Sequence, residues 1–368
     1  MHPFFRRAQR EMKNKTKLAR DFFYPPGKLP MADLAGLLSR FTQADPRLVV
    51  QPGIGRDAAV ISFGDRYLFA KTDPITFAAD EIGWYAVQVN ANDIAVAGGA
   101  PRWFLATLLL PEGRTNSEMV EAIFEQISYA CRDLGITLCG GHTEITLGLE
   151  RPIVVGQMLG EAKSGQFPVP ERIVPDDEII LTKGIAIEGT ALIAREKKEL
   201  EKTFGGDWLQ KCREFLKSPG ISVVQEARIA TQSGEVHAMH DPTEGGLAMG
   251  LLELAQAADV GLLVEREKIS IFSETEILCK KLGLDPLGLI ASGALLIVAA
   301  SRDADHIKGA LGRKGIPAES IGRIWEKEKG TKILTGGQIR DLPVFPRDEI
   351  ARFFDGSESG QISNAVQE

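Results

Sequence analysis

The sequence predicts an α+β chain of two successive units, and three observations carry that expectation. Its 368 residues suffice for two ordinary domains, each with its own core. Apolar segments of strand and helix period follow one another, with a hairpin near the start rather than a strict strand–helix–strand repeat. A stretch rich in Gly, Pro and charge, 161–177, interrupts the pattern and marks a boundary. The expected division is a basic tail over 1–26, a first domain over 27–160, that linker, a second domain over 178–345 and a loose tail over 346–368.

Each element has its own signal. Leu34, Leu37, Leu38 and Phe41 recur at helical spacing, and Ala58 to Phe63 and Tyr67 to Lys71 read as a hairpin around Gly64-Asp65. Ile82 to Ala97 is an Ala- and Val-rich helix stopped by Gly98-Gly99, and Trp103 to Leu110 is a buried strand. Asn116 or Ser117 caps a helix to about Leu134, and Ile136 to Cys139 and Ile153 to Leu159 are strands. Beyond the linker, strands are expected at Glu178 to Thr182, Val236 to Met239, Val260 to Val264 and Ala294 to Ala299. Helices are expected at Glu188 to Leu200, Trp208 to Leu216, Val223 to Thr231, Gly246 to Ala257 and around Glu274 to Leu282.

Composition excludes several classes. Hydrophobic content of 44% and charged content of 25% are those of a globular protein, and a net charge of −7 argues against a nucleic-acid partner. Cys131, Cys139, Cys212 and Cys279 are dispersed without a CxxC, which suits reduced cytoplasmic thiols better than a disulfide framework or zinc site. No apolar run approaches bilayer length, so no membrane partner is expected. The first twenty residues hold seven Lys or Arg and one acidic residue without the apolar core of a signal peptide, and read as a solvated tail.

Chemistry concentrates in acidic residues set beside tight backbone. Asp57 lies in Gly53-Ile54-Gly55-Arg56-Asp57-Ala58-Ala59, Asp73 in Lys71-Thr72-Asp73-Pro74, and Asp93 in Val89-Asn90-Ala91-Asn92-Asp93-Ile94-Ala95. Any one alone reads as a turn or strand-end Asp. Asp93 is harder to dismiss, because a charge inside an apolar helix is costly unless paired or bound to metal. Several such carboxylates can hold a hard divalent cation, and Mg²⁺ commonly arrives with nucleotide phosphate. Downstream, His142 in Gly140-Gly141-His142-Thr143-Glu144 reads as an acid or base on a loop near neutrality. Asp241, in His240-Asp241-Pro242-Thr243-Glu244-Gly245-Gly246, reads as a helix cap compatible with a ligand role. No P-loop or kinase catalytic loop is present.

GxGxDAAV, TD, VNxNDIAxxGGAP, GGHTE and HDPTEGGL, in this order over roughly residues 27 to 340, resemble the aminoimidazole-ribonucleotide-synthase-like superfamily. The HypE-type hydrogenase maturation branch is nearest. The resemblance implies two α/β sandwich domains, with the first domains of two chains closing an intersubunit β-barrel in a homodimer. It implies ATP and Mg²⁺ as cofactors, with Asp57, Asp73, Asp93 and Asp241 as metal ligands and Lys28 steadying the phosphates. Asn90, Asn92, Gly140, Gly141 and Thr143 complete the implied nucleotide site, and His142 and Asp241 the catalytic pair. The implied reaction is phosphorylation of an amide or carboxamide oxygen of a small substrate. The alternatives are a small-molecule kinase of the thiamine-monophosphate type and a non-catalytic ATP-binding maturation factor with a protein partner. Two departures stand out: Glu244 replaces a basic residue common in the HypE branch, and the last cysteine is Cys279 rather than one at the C-terminus. The second departure argues against the thiocarbamate-dehydrating reaction itself.

Overall fold

The computed structural model describes residues 23–24, 27, 29–53, 55–56, 58–76, 80–163, 165 and 167–355. The chain separates into two compact units, 1–43 with 52–54, and 44–51 with 55–368. In the first unit, α1 (Met31–Phe41) is the helix the leucine spacing predicts. The second unit holds both sheets.

The first sheet has strand order β1-β2-β3-β6-β4-β5. Its strands are β1 (Leu48–Val50), β2 (Ala59–Phe63), β3 (Arg66–Ile75), β4 (Ala100–Pro111), β5 (Thr137–Thr146) and β6 (Ile153–Lys163). Pairing is antiparallel except for β4 with β5. Helix α2 (Ile82–Val96) packs on this sheet, with every residue buried except Val89. Close approach requires glycine: a Cβ on Gly156 would lie 2.4 Å from Asn90 Nδ2, and one on Gly160 would lie 2.3 Å from Ile94 Cγ2. On its other side α2 meets α3 (Ser117–Leu134), whose buried face is Ile123, Ile127, Ala130 and Cys131. Asn116 caps α3, accepting from Met119 N at 2.9 Å, and Gly135 ends it in the left-handed region.

The second sheet has order β13-β12-β9-β11-β7-β10-β8. Its strands are β7 (Glu178–Thr182), β8 (Val236–His240), β9 (Gly261–Glu265), β10 (Leu296–Ala299), β11 (Ala318–Trp325), β12 (Thr331–Thr335) and β13 (Gln338–Asp341). The main helices around it are α4 (Ile187–Glu196), α5 (Gly206–Glu214), α6 (Val224–Ser233), α7 (Gly246–Ala258), α8 (Ser273–Leu282), α9 (Ser301–Gly312) and α10 (Glu349–Phe354). Among the described residues no helix is long and apolar enough to cross a membrane.

Three expectations are corrected. The strand expected at Ile136 to Cys139 continues through the glycines to Thr146, so Gly140 to Glu144 is edge strand and not loop. Gly141 backs so closely onto β4 that a Cβ would sit 1.8 Å from Ala106 O, which is what the glycine is for. The region from 346 is not loose throughout: Asp348 caps α10 through Ile350 N at 2.7 Å, and Ile350 is buried. The linker, too, is docked. Phe167 packs edge-on against Tyr67 and Phe69, Val169 N donates to His237 O at 2.8 Å, and Asp177 meets His237 Nδ1 at 2.6 Å.

Candidate active site

Alternation along β3 puts Lys71 and Asp73 on the face that α2 covers. Lys71 Nζ lies 3.0 Å from Asp93 Oδ2 on α2 and 3.4 Å from Asp73 Oδ2. The Asp93 side chain is 6% exposed and that of Asp73 is 37% exposed, so the pair spans from interior to solvent. Asn90, one turn before Asp93, clamps the backbone of Asp73: Asp73 N donates to Asn90 Oδ1 at 2.9 Å, and Asn90 Nδ2 donates to Ala86 O at 2.9 Å and Asp73 O at 3.3 Å. Asn90 therefore positions the site, with its amide committed to protein backbone. Sequence reasoning assigns Lys71 no role, although its place two residues before Asp73 carries the signal.

Asn92 is likewise bonded to backbone. It donates to Ile221 O at 2.8 Å and accepts from Val223 N at 2.9 Å, tying α2 to the second-sheet region. Asp57 and Lys28 lie outside the described residues.

His142 stands apart within its own chain. Register places it in the row Thr107, Val155, Pro74, three strands across from β3 and on the face alternate to Asp73. Three inter-strand steps amount to about 14 Å. Both His142 and Thr143 are exposed on β5, with His142 Nε2 3.4 Å from Glu144 Oε2. Asp241 is buried just after β8, but it does not cap α7; the N-cap is Gly245 in the left-handed region. Among the described residues no three His, Cys, Asp or Glu side chains converge as a metal-binding group. What fits a cation is narrower: one ammonium already held between the carboxylates of Asp73 and Asp93.

A second constellation surrounds the start of α4, where Glu188-Gly189-Thr190 reads in sequence equally as a family helix start at the domain junction and as a simple helix N-terminus. Ala186 precedes the helix with a φ of 58°. Glu188 is buried, and burial pushes its carboxyl up to about 7; a hydrogen bond from Ser292 opposes the shift, and the charges of Asp348, Asp241 and Glu244 add to it. Burial also raises Asp348 to about 6, against backbone donors at Ile350, Gly245 and Ile290. The folded state thus holds the Glu188 proton more tightly than the unfolded chain does. Its stabilising contribution is complete below the unfolded value of about 4.3 and is lost as pH rises through about 7. We expect Glu188→Gln to remove a loss of roughly 3 kcal/mol. The variant should match wild type at acidic pH and denature later than wild type in mild alkali. Parallel pH–stability curves for the two proteins would defeat this assignment.

Junction contacts are completed by a buried ion pair. Lys183 Nζ lies 2.7 Å from Glu226 Oε1 and donates to Gly220 O at 3.2 Å and Ser222 O at 2.7 Å. Cys131, Cys212 and Cys279 are buried, and burial raises their thiols to about 11, 12 and 12. They are unreactive at neutral pH.

Comparison with known families fits this geometry. The model of the AIR synthase related protein N-terminal domain matches residues 55–162, and that of the C-terminal domain matches residues 174–334. The chain belongs to the AIR synthase related family. Within that family it is 30% identical over 309 residues to a putative hydrogenase expression/formation protein of Methanocaldococcus jannaschii, covering 80% of this chain and 89% of the relative. It is 28% identical over 277 residues to the carbamoyl dehydratase HypE of Rhizobium leguminosarum bv. viciae, covering 72% and 75%. A crystal structure of the hydrogenase maturation protein HypE in complex with ATP superposes with a TM-score of 0.66 at 21% identity, covering 89% of this chain and 98% of that one. The AIR synthase related N-terminal region contains Lys71, Asp73 and Asp93, and the C-terminal region contains Lys183, Glu188 and Asp241.

Proposed function

We propose that this chain is a Mg²⁺- and ATP-dependent enzyme that places the γ-phosphoryl of ATP on an amide or carboxamide oxygen of a small substrate, making that oxygen a leaving group. The observation that carries the reading is the Lys71 ammonium held between Asp73 and Asp93. Carboxylates that hold an ammonium attract a hard cation by the same charge, and protein-bound Mg²⁺ uses one or two carboxylates together with phosphate oxygens. Asp73 and Asp93 would hold the metal, and Asp57 and Asp241 remain proposed ligands from the sequence motifs. When bound, the metal neutralises phosphate charge. Lys71 and Lys28 supply positive charge for phosphate oxygens, Asn90 fixes the backbone of Asp73, and the packing of α2 keeps water from Asp93. A family relative named carbamoyl dehydratase and a fold neighbour bound to ATP support the reading.

The test is ADP release with primary amides, amines and phosphomonoesters. Mg²⁺-dependent release with amides alone is the expected result. Release with phosphomonoesters alone would make the chain a kinase of the thiamine-monophosphate type, and ATP binding without release would make it a non-catalytic maturation factor.

The same reading includes a homodimer, with a protein maturation partner as a further associate. The open face of β4 leaves Trp103 36% exposed, and β5 is an edge strand with Leu147 uncovered in the turn that follows it. A second first-sheet would cover that face and remove the edge. His142 lies on this same surface and would face the partner. Light scattering at micromolar concentration reads the state directly, and a monomer with normal ATP affinity would refute the shared barrel.

A further inference from the structure

Helix α10 is tied to the second-sheet region by more than its own cap. Asp348, 7% exposed, accepts from Ile350 N at 2.7 Å, and this bond caps α10. Capping needs one such bond. The same carboxylate takes two further backbone donors, Gly245 N at 2.6 Å and Ile290 N at 3.3 Å, from residues 103 and 58 positions earlier in the chain. Its oxygens are divided between them: Oδ2 serves Gly245, and Oδ1 serves Ile350 and Ile290.

Both remote donors sit where the chain has little freedom. Gly245 is the left-handed N-cap of α7 and closes the turn that follows Asp241. Gly246 comes next with a φ of 65°, and a Cβ there would lie 2.5 Å from Leu287 O and 2.8 Å from Leu289 O. Ala248 N donates to Leu287 O at 3.0 Å, so the 285–290 loop is pressed on the start of α7. The same loop reaches α4, where Gly189 N, next to Glu188, donates to Ile290 O at 3.1 Å. The C-terminal segment holds this loop as well. Glu349 N donates to Gly288 O at 3.1 Å, Asp285 N donates to Glu349 Oε2 at 3.0 Å, and a Cβ on Gly288 would lie 2.2 Å from the Phe345 ring. Phe345, Asp348 and Glu349 all lie beyond 174–334, the residues matched as the family's C-terminal domain.

We propose that Asp348 is a positioning residue for the 240–246 motif. By fixing the Gly245 N–H it holds the turn that carries Asp241, and through Ile290 it ties that turn to the start of α4. A backbone N–H that loses its acceptor in the interior is costly, so without the carboxylate the turn would shift to find another partner. The consequence for Mg²⁺ rests on the ATP-dependent reading, in which Asp241 is a metal ligand. The hold on the turn does not.

Asp348→Asn in the full chain is the decisive variant. Asn caps a helix as well as Asp does, so its oxygen stays with Ile350 and Ile290 while its NH2 group meets the Gly245 N–H donor to donor. Hydrogen exchange read by mass spectrometry should speed up about tenfold over 241–249, with 82–96 unchanged. Calorimetric ATP titrations at a series of Mg²⁺ concentrations should show the half-saturating Mg²⁺ rising on the order of tenfold, with ATP binding preserved at saturating Mg²⁺. Ile350→Ala is the control, because it keeps the carboxylate and removes apolar burial from the same helix. It should loosen 349–355 and leave the Mg²⁺ requirement alone. Unchanged exchange over 241–249 in Asp348→Asn, or an equal rise in Mg²⁺ requirement with Ile350→Ala, would overturn the positioning role. Wild-type ATP binding that ignores Mg²⁺ would instead sink the ATP-dependent reading, and the exchange result alone would then decide the hold of Asp348 on the turn.

Discussion

Replacing Lys183 by Met is expected to cost about 3–5 kcal/mol of folding stability. Lys183 comes directly after β7 with a φ of 55° and is buried, and burial pulls its ammonium below the usual lysine range while Glu226 on α6 holds it up. Truncating it leaves the Glu226 carboxylate, whose side chain is 6% exposed, without its counter-ion. It also frees the carbonyls of Gly220 and Ser222, on either side of the Ile221 carbonyl that Asn92 engages. The loss should therefore be felt at the α2 junction as well as in the second-sheet region. Pairing Lys183→Met with Glu226→Leu should recover most of the stability, since an apolar pair of similar volume avoids desolvating two charges. Urea unfolding of the two single variants and the double variant checks this. If each single variant falls by less than about 1 kcal/mol, the pair behaves like a surface ion pair.

Asp93→Asn should weaken Mg·ATP binding on the order of 100-fold, about 2.7 kcal/mol, and more than Asp73→Asn does. The difference comes from burial. Asp93 acts from an apolar helix where water cannot stand in for the lost charge, whereas Asp73 is more than a third exposed. Asp93→Asn should still fold, because Lys71 keeps Asp73 as a partner. Calorimetric titration with ATP, with and without Mg²⁺, separates the effects. Equal losses for the two variants would remove the burial argument, and Mg²⁺-independent wild-type binding would remove the metal.

The elements legible in the sequence are those whose pattern is local. Helix α2 is recognisable because its long run of apolar residues is broken by little more than Gln88 and the Asn and Asp residues. Helix α7 is placed at its true start by the Gly245-Gly246 break. Strand β11 escapes because Glu319 and Arg323 interrupt its apolar positions, and Gly322 sits at a shift in its register with β7. Helix α9, Ser301–Gly312, escapes because only Ala304, Ile307, Ala310 and Leu311 are buried, among charged neighbours. The extension of β5 through Gly140-Gly141 is hidden by the usual association of paired glycines with loops. Only the backbone of β4 shows why they are there.

The sequence by itself determined the family and the two-sheet α+β plan, because motif order and residue chemistry are properties of the chain, and it singled out Asp73, Asp93 and Asp241 as candidates. Tertiary structure decided which of those residues meet. It put Lys71 between Asp73 and Asp93, turned Asn90 and Asn92 to backbone clamps, and set His142 on the opposite face of the sheet. Spacing along the chain says nothing about such contacts, because they arise only when the packing of α2 fixes the direction in which its stripes face.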